Sequence, residues 1–124
     1  MKKSLILATF AAISVSAFAG TPVAKQEPAR VLSMGDIVTL CKQKDNAQAT
    51  AFCNGFGQGV YDSYLVTRHP QKAPSKICVK QPAPQRQQVL DEFMAWADKN
   101  AQYNDKPAAE ATLRFLAERF PCGK

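Results

Sequence analysis

A glycine-rich stretch from Cys41 to Leu65 constrains the fold of this chain more than any other part. Its apolar and aromatic side chains recur at the three- and four-residue spacing of one helix face, namely at Ala49, Phe52, Cys53, Phe56, Val60 and Tyr64. We therefore predict that its glycines lie inside a helix, although each costs about 1 kcal/mol of helix propensity relative to alanine. Gly55 and Gly59 share a face, so we expect them, with Phe52 and Phe56, to let another helix pack closely.

The alternating glycines do not match a phosphate-binding loop. Such a loop follows an apolar strand and opens a helix, whereas no strand-like pattern precedes Gly55. We therefore predict no nucleotide site, and the sequence suggests no other cofactor.

The amino terminus has the pattern of an export signal. Lys2 and Lys3 precede an almost wholly apolar run, Ser4 to Phe18, and residues 17–19 form an A-x-A cleavage site. The run is shorter than the roughly 20 residues that a membrane span requires. We predict a signal peptide at 1–19, a flexible, proline-containing leader at 20–32 and a folded domain at 33–124. After cleavage we expect no membrane attachment.

Four cysteines follow the signal, at Cys41, Cys53, Cys78 and Cys122. In an exported chain they indicate two disulfides, with three possible connectivities, and hence an oxidising compartment, the periplasm or the exterior. Their spacings suit no common zinc site, so we predict no metal. We prefer Cys41 with Cys53, which flank a turn, and that choice pairs Cys78 with Cys122.

The first two predicted helices form a hairpin. Ser33 and Asp36 have the spacing of a capping box at the start of a helix over about 33–43. Asn46 is a plausible cap for a long helix over about 47–67. The connection is so short that the two helices are expected to run antiparallel.

Two further helices complete the predicted fold. Pro84 is placed at the first turn of a helix over about 84–99, and Pro107 opens the last, which Pro121 stops. No strand-like alternation occurs. The sequence therefore predicts an all-α fold, a small four-helix domain with two disulfides.

Charge and titratable residues favour a binding protein over an enzyme. The formal net charge is +6, and loss of Lys2 and Lys3 lowers it by two. The cations are scattered without a run of five like charges, which indicates an ordinary solvated surface. An acidic protein partner is the next interpretation, ahead of nucleic acid. His69, the sole histidine, has no evident nucleophile, and Asp91 and Glu92 point in different directions from one helix. We predict no catalytic residues.

The chain resembles the Rap/Tai family of type VI secretion immunity proteins. The resemblance lies in the signal peptide, the helix with Cys41, the sequence FCNGFGQGV at Phe52 to Val60, Cys78, and AAEATLRFLAERFPC at Ala108 to Cys122. It covers nearly the whole mature domain, and the motifs are specific in combination rather than singly. It implies a small periplasmic helical protein, often a homodimer, that binds and inhibits a peptidoglycan amidase toxin.

Two segments depart from the family pattern. Val79 to Pro82 replaces a Pro-Gly-type turn, and Asn100 to Lys106 makes a longer polar loop than a His-Pro step. Because loops carry binding specificity, these departures leave the cognate toxin open. We predict that the second loop makes the inhibitory contact, since we expect it to be free and to carry an exposed aromatic residue. The predicted toxin-binding residues are Lys99, Asn100, Gln102, Tyr103, Asn104 and Asp105.

A periplasmic stress or chaperone-like protein is the alternative reading, because it would also be small, helical and disulfide-bonded. Such a protein should expose apolar surface as the pH changes, and one histidine offers little titration near pH 6. Immunity protein therefore remains the preferred prediction.

Overall fold

The computed structural model describes residues 30–68 and 72–123. It contains the helices α1 (Met34–Cys41), α2 (Ala47–Arg68), α3 (Arg86–Lys99) and α4 (Ala108–Arg119), with a 3-10 turn at Ala101–Tyr103. Within these ranges β-type pairing is limited to two isolated bridges. The predicted all-α, four-helix class is confirmed. The signal peptide, most of the leader and His69 lie outside the described residues.

Local capping fixes the start of each helix in the α1–α2 hairpin. The Ser33 hydroxyl accepts a hydrogen bond from the Asp36 backbone N–H at 3.1 Å, and the Asp36 carboxylate accepts one from the Ser33 N–H at 3.0 Å. The predicted capping box is therefore present. The Asn46 side-chain oxygen accepts from the backbone N–H groups of Gln48 and Ala49, both at 3.1 Å, which satisfies two of the donors exposed at the start of α2.

Two disulfides connect the helices as the sequence predicted. Cys41 and Cys53 join α1 to α2 with Cα atoms 5.9 Å apart. Cys78 and Cys122 join the α2–α3 connection to the carboxyl end with Cα atoms 4.9 Å apart. Next to the second disulfide, the Cys78 N–H donates to the Phe120 carbonyl at 2.8 Å. The preferred pairing, one of the three that four cysteines allow, is thereby confirmed.

The core forms where the apolar faces of the four helices meet, and α2 packs against each of the other three. The main cluster of buried residues spans α1, the α2–α3 connection, α3, α4 and the residue that ends α4. Its members are Ile37, Ile77, Phe93, Ala108, Phe115, Leu116 and Phe120. A smaller cluster of Met34, Ala97 and Ala111 lies beside it.

The predicted start of α3 is two residues too early. α3 begins at Arg86, after an extended Gln85 with φ −66° and ψ 143°, so Pro84 belongs to the preceding connection. That connection contains a cis peptide bond between Gln81 and Pro82. Pro107 stands just before α4 as its cap residue, also extended. Both prolines therefore precede their helices, Pro107 directly and Pro84 with Gln85 between it and the first helical residue.

The close packing predicted at Gly55 and Gly59 is wrong for the described chain. Both glycines are exposed, and a Cβ atom built on either meets no atom within 4 Å. The neighbouring helices contact the opposite face of α2, where Ala49 and Cys53 are buried. Of the two phenylalanines, Phe56 packs against the main cluster, whereas Phe52 is 44 % exposed.

Candidate functional site

The connection from Lys99 to Lys106 is folded rather than free. Asn100 ends α3, and its side-chain amide donates to the Trp96 carbonyl at 2.8 Å. Three further backbone bonds then close successive tight turns: Tyr103 N–H to Asn100 C=O at 3.0 Å, Asn104 N–H to Ala101 C=O at 3.0 Å, and Lys106 N–H to Tyr103 C=O at 2.9 Å. The segment therefore satisfies much of its backbone internally.

The same segment is docked onto the amino-terminal end of α1. The Met34 N–H donates to the Lys106 carbonyl at 2.8 Å, and the Gly35 N–H donates to the Asn104 carbonyl at 3.0 Å. Beyond the loop, the Ala108 N–H donates to the Leu32 carbonyl at 2.7 Å. Because the first N–H groups of a helix lack partners within the helix, the loop carbonyls complete the start of α1.

Tyr103 is held between two side chains instead of projecting alone. Its ring stacks on the Trp96 ring with centroids 5.9 Å apart and planes 6° apart. The Arg114 guanidinium lies 4.7 Å from the Tyr103 ring centroid. The Trp96 indole N–H in turn donates to the Glu118 carboxylate at 2.6 Å. Tyr103 is half-buried, so the exposed aromatic expected from the sequence is corrected.

The loop presents four of the six sequence-predicted binding residues to solvent. Lys99, Gln102, Asn104 and Asp105 are exposed, whereas the remaining two anchor the loop as described above. The result is a polar surface on a fixed backbone, with cations at Lys99 and Lys106 and an anion at Asp105. Such a surface can accept and donate hydrogen bonds without first paying the entropy of ordering its backbone.

Two charge pairs involve residues of α1, α3 and α4. Arg119 on α4 donates to Glu92 on α3. The Arg119 guanidinium, with help from the Gln88 amide, holds the pKa of Glu92 below its usual value. At the start of α1, the Arg30 guanidinium and the Ser33 groups hold the pKa of Asp36 well below its usual range. Both pairs are largely exposed, so their contributions are screened by solvent.

A second region escaped the sequence analysis. Residues 63–90 contain no Asp or Glu but carry Arg68, Lys72, Lys76, Lys80 and Arg86. Next to this segment lies an apolar cavity of about 170 Å³, lined by α2, α3 and residues 79–86 and also by residues of α1 and α4. The absence of acidic residues can be seen in the sequence. The cavity could not be predicted from it, because the cavity depends on how α2 and α3 pack together.

Within residues 30–68 and 72–123, no group of three or more His, Cys, Asp or Glu side chains could hold a metal ion. None of the helices in the same ranges combines the length and apolar character needed to cross a membrane.

Comparison with known proteins adds a family assignment to this geometry. No curated protein and no solved structure matches the chain significantly. The sequence model of a family described as Rap1a immunity proteins matches residues 33–122. That range runs from the cap of α1 to the last cysteine, so it includes all four helices, both disulfides and the docked loop. The chain therefore belongs to the Rap1a immunity protein family.

Proposed function

We propose that this protein is exported to the periplasm, where it binds and inhibits a peptidoglycan amidase toxin delivered by type VI secretion. Family membership supports the role of an immunity protein, and an inhibitor of this kind needs no catalysis of its own. Two disulfides and no free cysteine among the described residues fit an oxidising compartment. The basic start and A-x-A site at residues 1–19 supply the export signal.

The observation that carries the proposed mode of inhibition is the docked loop at Lys99 to Lys106. An amidase cleft is blocked most effectively by a projection that does not have to be ordered on binding. The hydrogen bonds of this loop to Met34 and Gly35 meet that requirement. In the proposal Gln102 and Asp105 meet the cleft directly, while Tyr103 positions the loop.

The test measures binding and inhibition with the toxin recovered by pull-down on the oxidised mature chain. Gln102→Ala combined with Asp105→Ala removes two exposed loop side chains and leaves the docking bonds in place. We expect calorimetric affinity to fall by about 2 kcal/mol or more, as at an interface hot spot, with a parallel loss of amidase inhibition.

Asp45→Ala combined with Gln48→Ala is the matched control, since it removes the same two side-chain types from exposed positions near the α1–α2 turn. We expect its affinity to equal that of the parent. If the loop variant binds as tightly as the control, the inhibitory surface lies elsewhere. If the captured partner is not an amidase, the proposed target is wrong, although the family role stands.

A further inference from the structure

The apolar cavity between α2 and α3 has the size of a small-molecule site. Its volume of about 170 Å³ exceeds that of an engineered cavity of about 150 Å³ in another protein that binds benzene. Aromatic and aliphatic side chains form most of its wall, among them Phe56, Val79, Val89, Leu90 and Phe93. Two further lining residues, Ala83 and Arg86, are exposed, so the cavity reaches the surface at the start of α3.

Gly57 explains why the space exists. Cys53, Gly57 and Tyr61 follow one another at intervals of four residues along α2, and all three line the cavity, so they share a helix face. A Cβ atom built on Gly57 meets nothing within 4 Å. The glycine is not required by a left-handed backbone, because no described glycine has a positive φ. The helix therefore loses propensity at this position, and the missing side chain leaves room in the cavity.

The charge at the mouth of the cavity is positive. Arg86 is the only residue with an ionised side chain among those that line it. No ion pair joins it to a carboxylate in the described part of the chain, and residues 63–90 around it contain no acid. Arg86 is also the first residue of α3, and Gln85 provides no side-chain cap. A helix amino terminus favours a nearby negative charge, so it adds to the attraction of the guanidinium.

From these features we infer that the cavity binds a small organic monocarboxylate whose compact apolar body, one aromatic ring or a short alkyl chain, enters between α2 and α3. The carboxylate then lies at the mouth, against Arg86 and the amino terminus of α3. This site is separate from the loop at Lys99 to Lys106, and it accepts a free small molecule rather than a toxin segment.

The ligand test compares two molecules of the same shape and opposite charge on the oxidised, exported protein. Calorimetry and amide chemical shifts are followed during titration with 3-phenylpropionate and with 3-phenylpropan-1-amine. We expect saturable binding of the acid, with shifts at residues of α2 and α3 that line the cavity. Because a charge-assisted contact is lost and replaced by repulsion, the amine should bind at least about tenfold more weakly. Equal affinity for the two molecules, or binding of neither, overturns the inference.

Variants then locate the site. Arg86→Gln should weaken binding of the acid about fivefold or more, whereas Lys76→Gln, which removes a cation outside the cavity wall, should change it less than about twofold. Gly57→Leu should abolish binding because its side chain fills the cavity, whereas Gly59→Leu, on the exposed face, should leave binding intact.

Circular dichroism verifies that each variant is folded. If Gly57→Leu does not fold, Val89→Phe replaces it, because this substitution fills the cavity from α3. Undiminished binding in a folded cavity-filled variant contradicts the proposed site.

Discussion

The two long connections of this molecule are fixed by different means. Residues 72–85, between α2 and α3, are held covalently at one place, where the Cys78–Cys122 disulfide and the bond from Cys78 N–H to the Phe120 carbonyl lie beside the buried Ile77. Elsewhere in this connection the Lys76 N–H donates to the Tyr64 hydroxyl on α2 at 2.8 Å. Residues 100–107, between α3 and α4, are held by successive backbone bonds and by the stacked ring of Tyr103.

The difference shows what each kind of restraint leaves accessible. The covalent anchor and the few hydrogen bonds of the first connection hold it at separate points, and exposed cations and the mouth of a cavity remain around them. The successive bonds of the second connection hold much of its backbone and leave mainly its polar side chains available. A partner protein can use the second surface without ordering it, whereas the first is better suited to a small ligand.

The largest expected effect comes from removing the disulfide that anchors the first connection. Cys78→Ala with Cys122→Ala opens a link between residues separated by 44 positions, and the chain-entropy account predicts a loss of about 4 kcal/mol in the free energy of unfolding. Cys41→Ala with Cys53→Ala, with a separation of 12, should cost about 3 kcal/mol. Urea denaturation measures both. A larger loss of stability from the Cys41–Cys53 deletion than from the Cys78–Cys122 deletion would show that other contacts compensate for the missing Cys78–Cys122 link.

Replacing Tyr103 tests the distributed restraint of the second connection. Tyr103→Ala removes the stack on Trp96 and the Arg114 contact, so stability should fall by about 1 kcal/mol and toxin affinity by about 2 kcal/mol. Tyr103→Phe keeps the ring and should retain most of both. Thermal denaturation and calorimetry provide the readouts. If Tyr103→Ala affects neither quantity, the loop does not depend on this stack.

Substituting a glycine on the exposed face of α2 should have a smaller effect on stability. Its sign should be opposite to the one expected from the sequence. Close packing predicted that Gly59→Leu would destabilise the protein, but the space around the Gly59 Cβ position is open. The gain in helix propensity should therefore raise the free energy of unfolding by about 0.5–1 kcal/mol. Urea denaturation of the oxidised protein measures the change. A clear loss of stability would reveal a contact absent from the described chain, such as one with a second copy.

Sequence reasoning succeeded where the signal is local. The spacing of Ser33 and Asp36 specifies a cap, and two cysteines on either side of the Asn46 turn specify a disulfide. It failed where the outcome depends on which face of a helix becomes covered, as for Gly55 and Gly59.

The docking of the second connection onto α1 also could not be predicted from the sequence. Its restraint comes from backbone carbonyls of Asn104 and Lys106, and any residue carries such a group. Only the stacking of Tyr103 has a signal in the sequence, which is a single aromatic residue within a polar segment. The residues of the candidate site are therefore those proposed from the sequence, whereas the rigidity of the loop that carries them could not be predicted.

The smallest expected effect concerns the Glu92–Arg119 pair, which joins the middle of α3 to the last residue of α4. Because the pKa of Glu92 is lowered in the folded protein, its contribution to stability is present above the ordinary value of 4.5. The contribution is lost as the pH falls through the folded value. Glu92→Gln should therefore flatten the decline of stability in acid.

Asp45→Asn is the control, since Asp45 is exposed and no ion pair is found for it among the described residues. Urea denaturation between pH 3 and pH 7 compares the two variants with the parent. Identical pH profiles for Glu92→Gln and the parent would remove the pair from the account.

Amide hydrogen exchange of the oxidised protein, with and without its toxin, tests the central comparison most directly. In the free protein, the amides of Met34 and Gly35 should already be protected by the docking bonds, and the amide of Lys106 by its bond to the Tyr103 carbonyl. On binding, new protection should appear at residues 99–105 and be absent from residues 72–86. Protection confined to residues 72–86, with no change at 99–105, would contradict the assignment of the docked loop as the inhibitory surface.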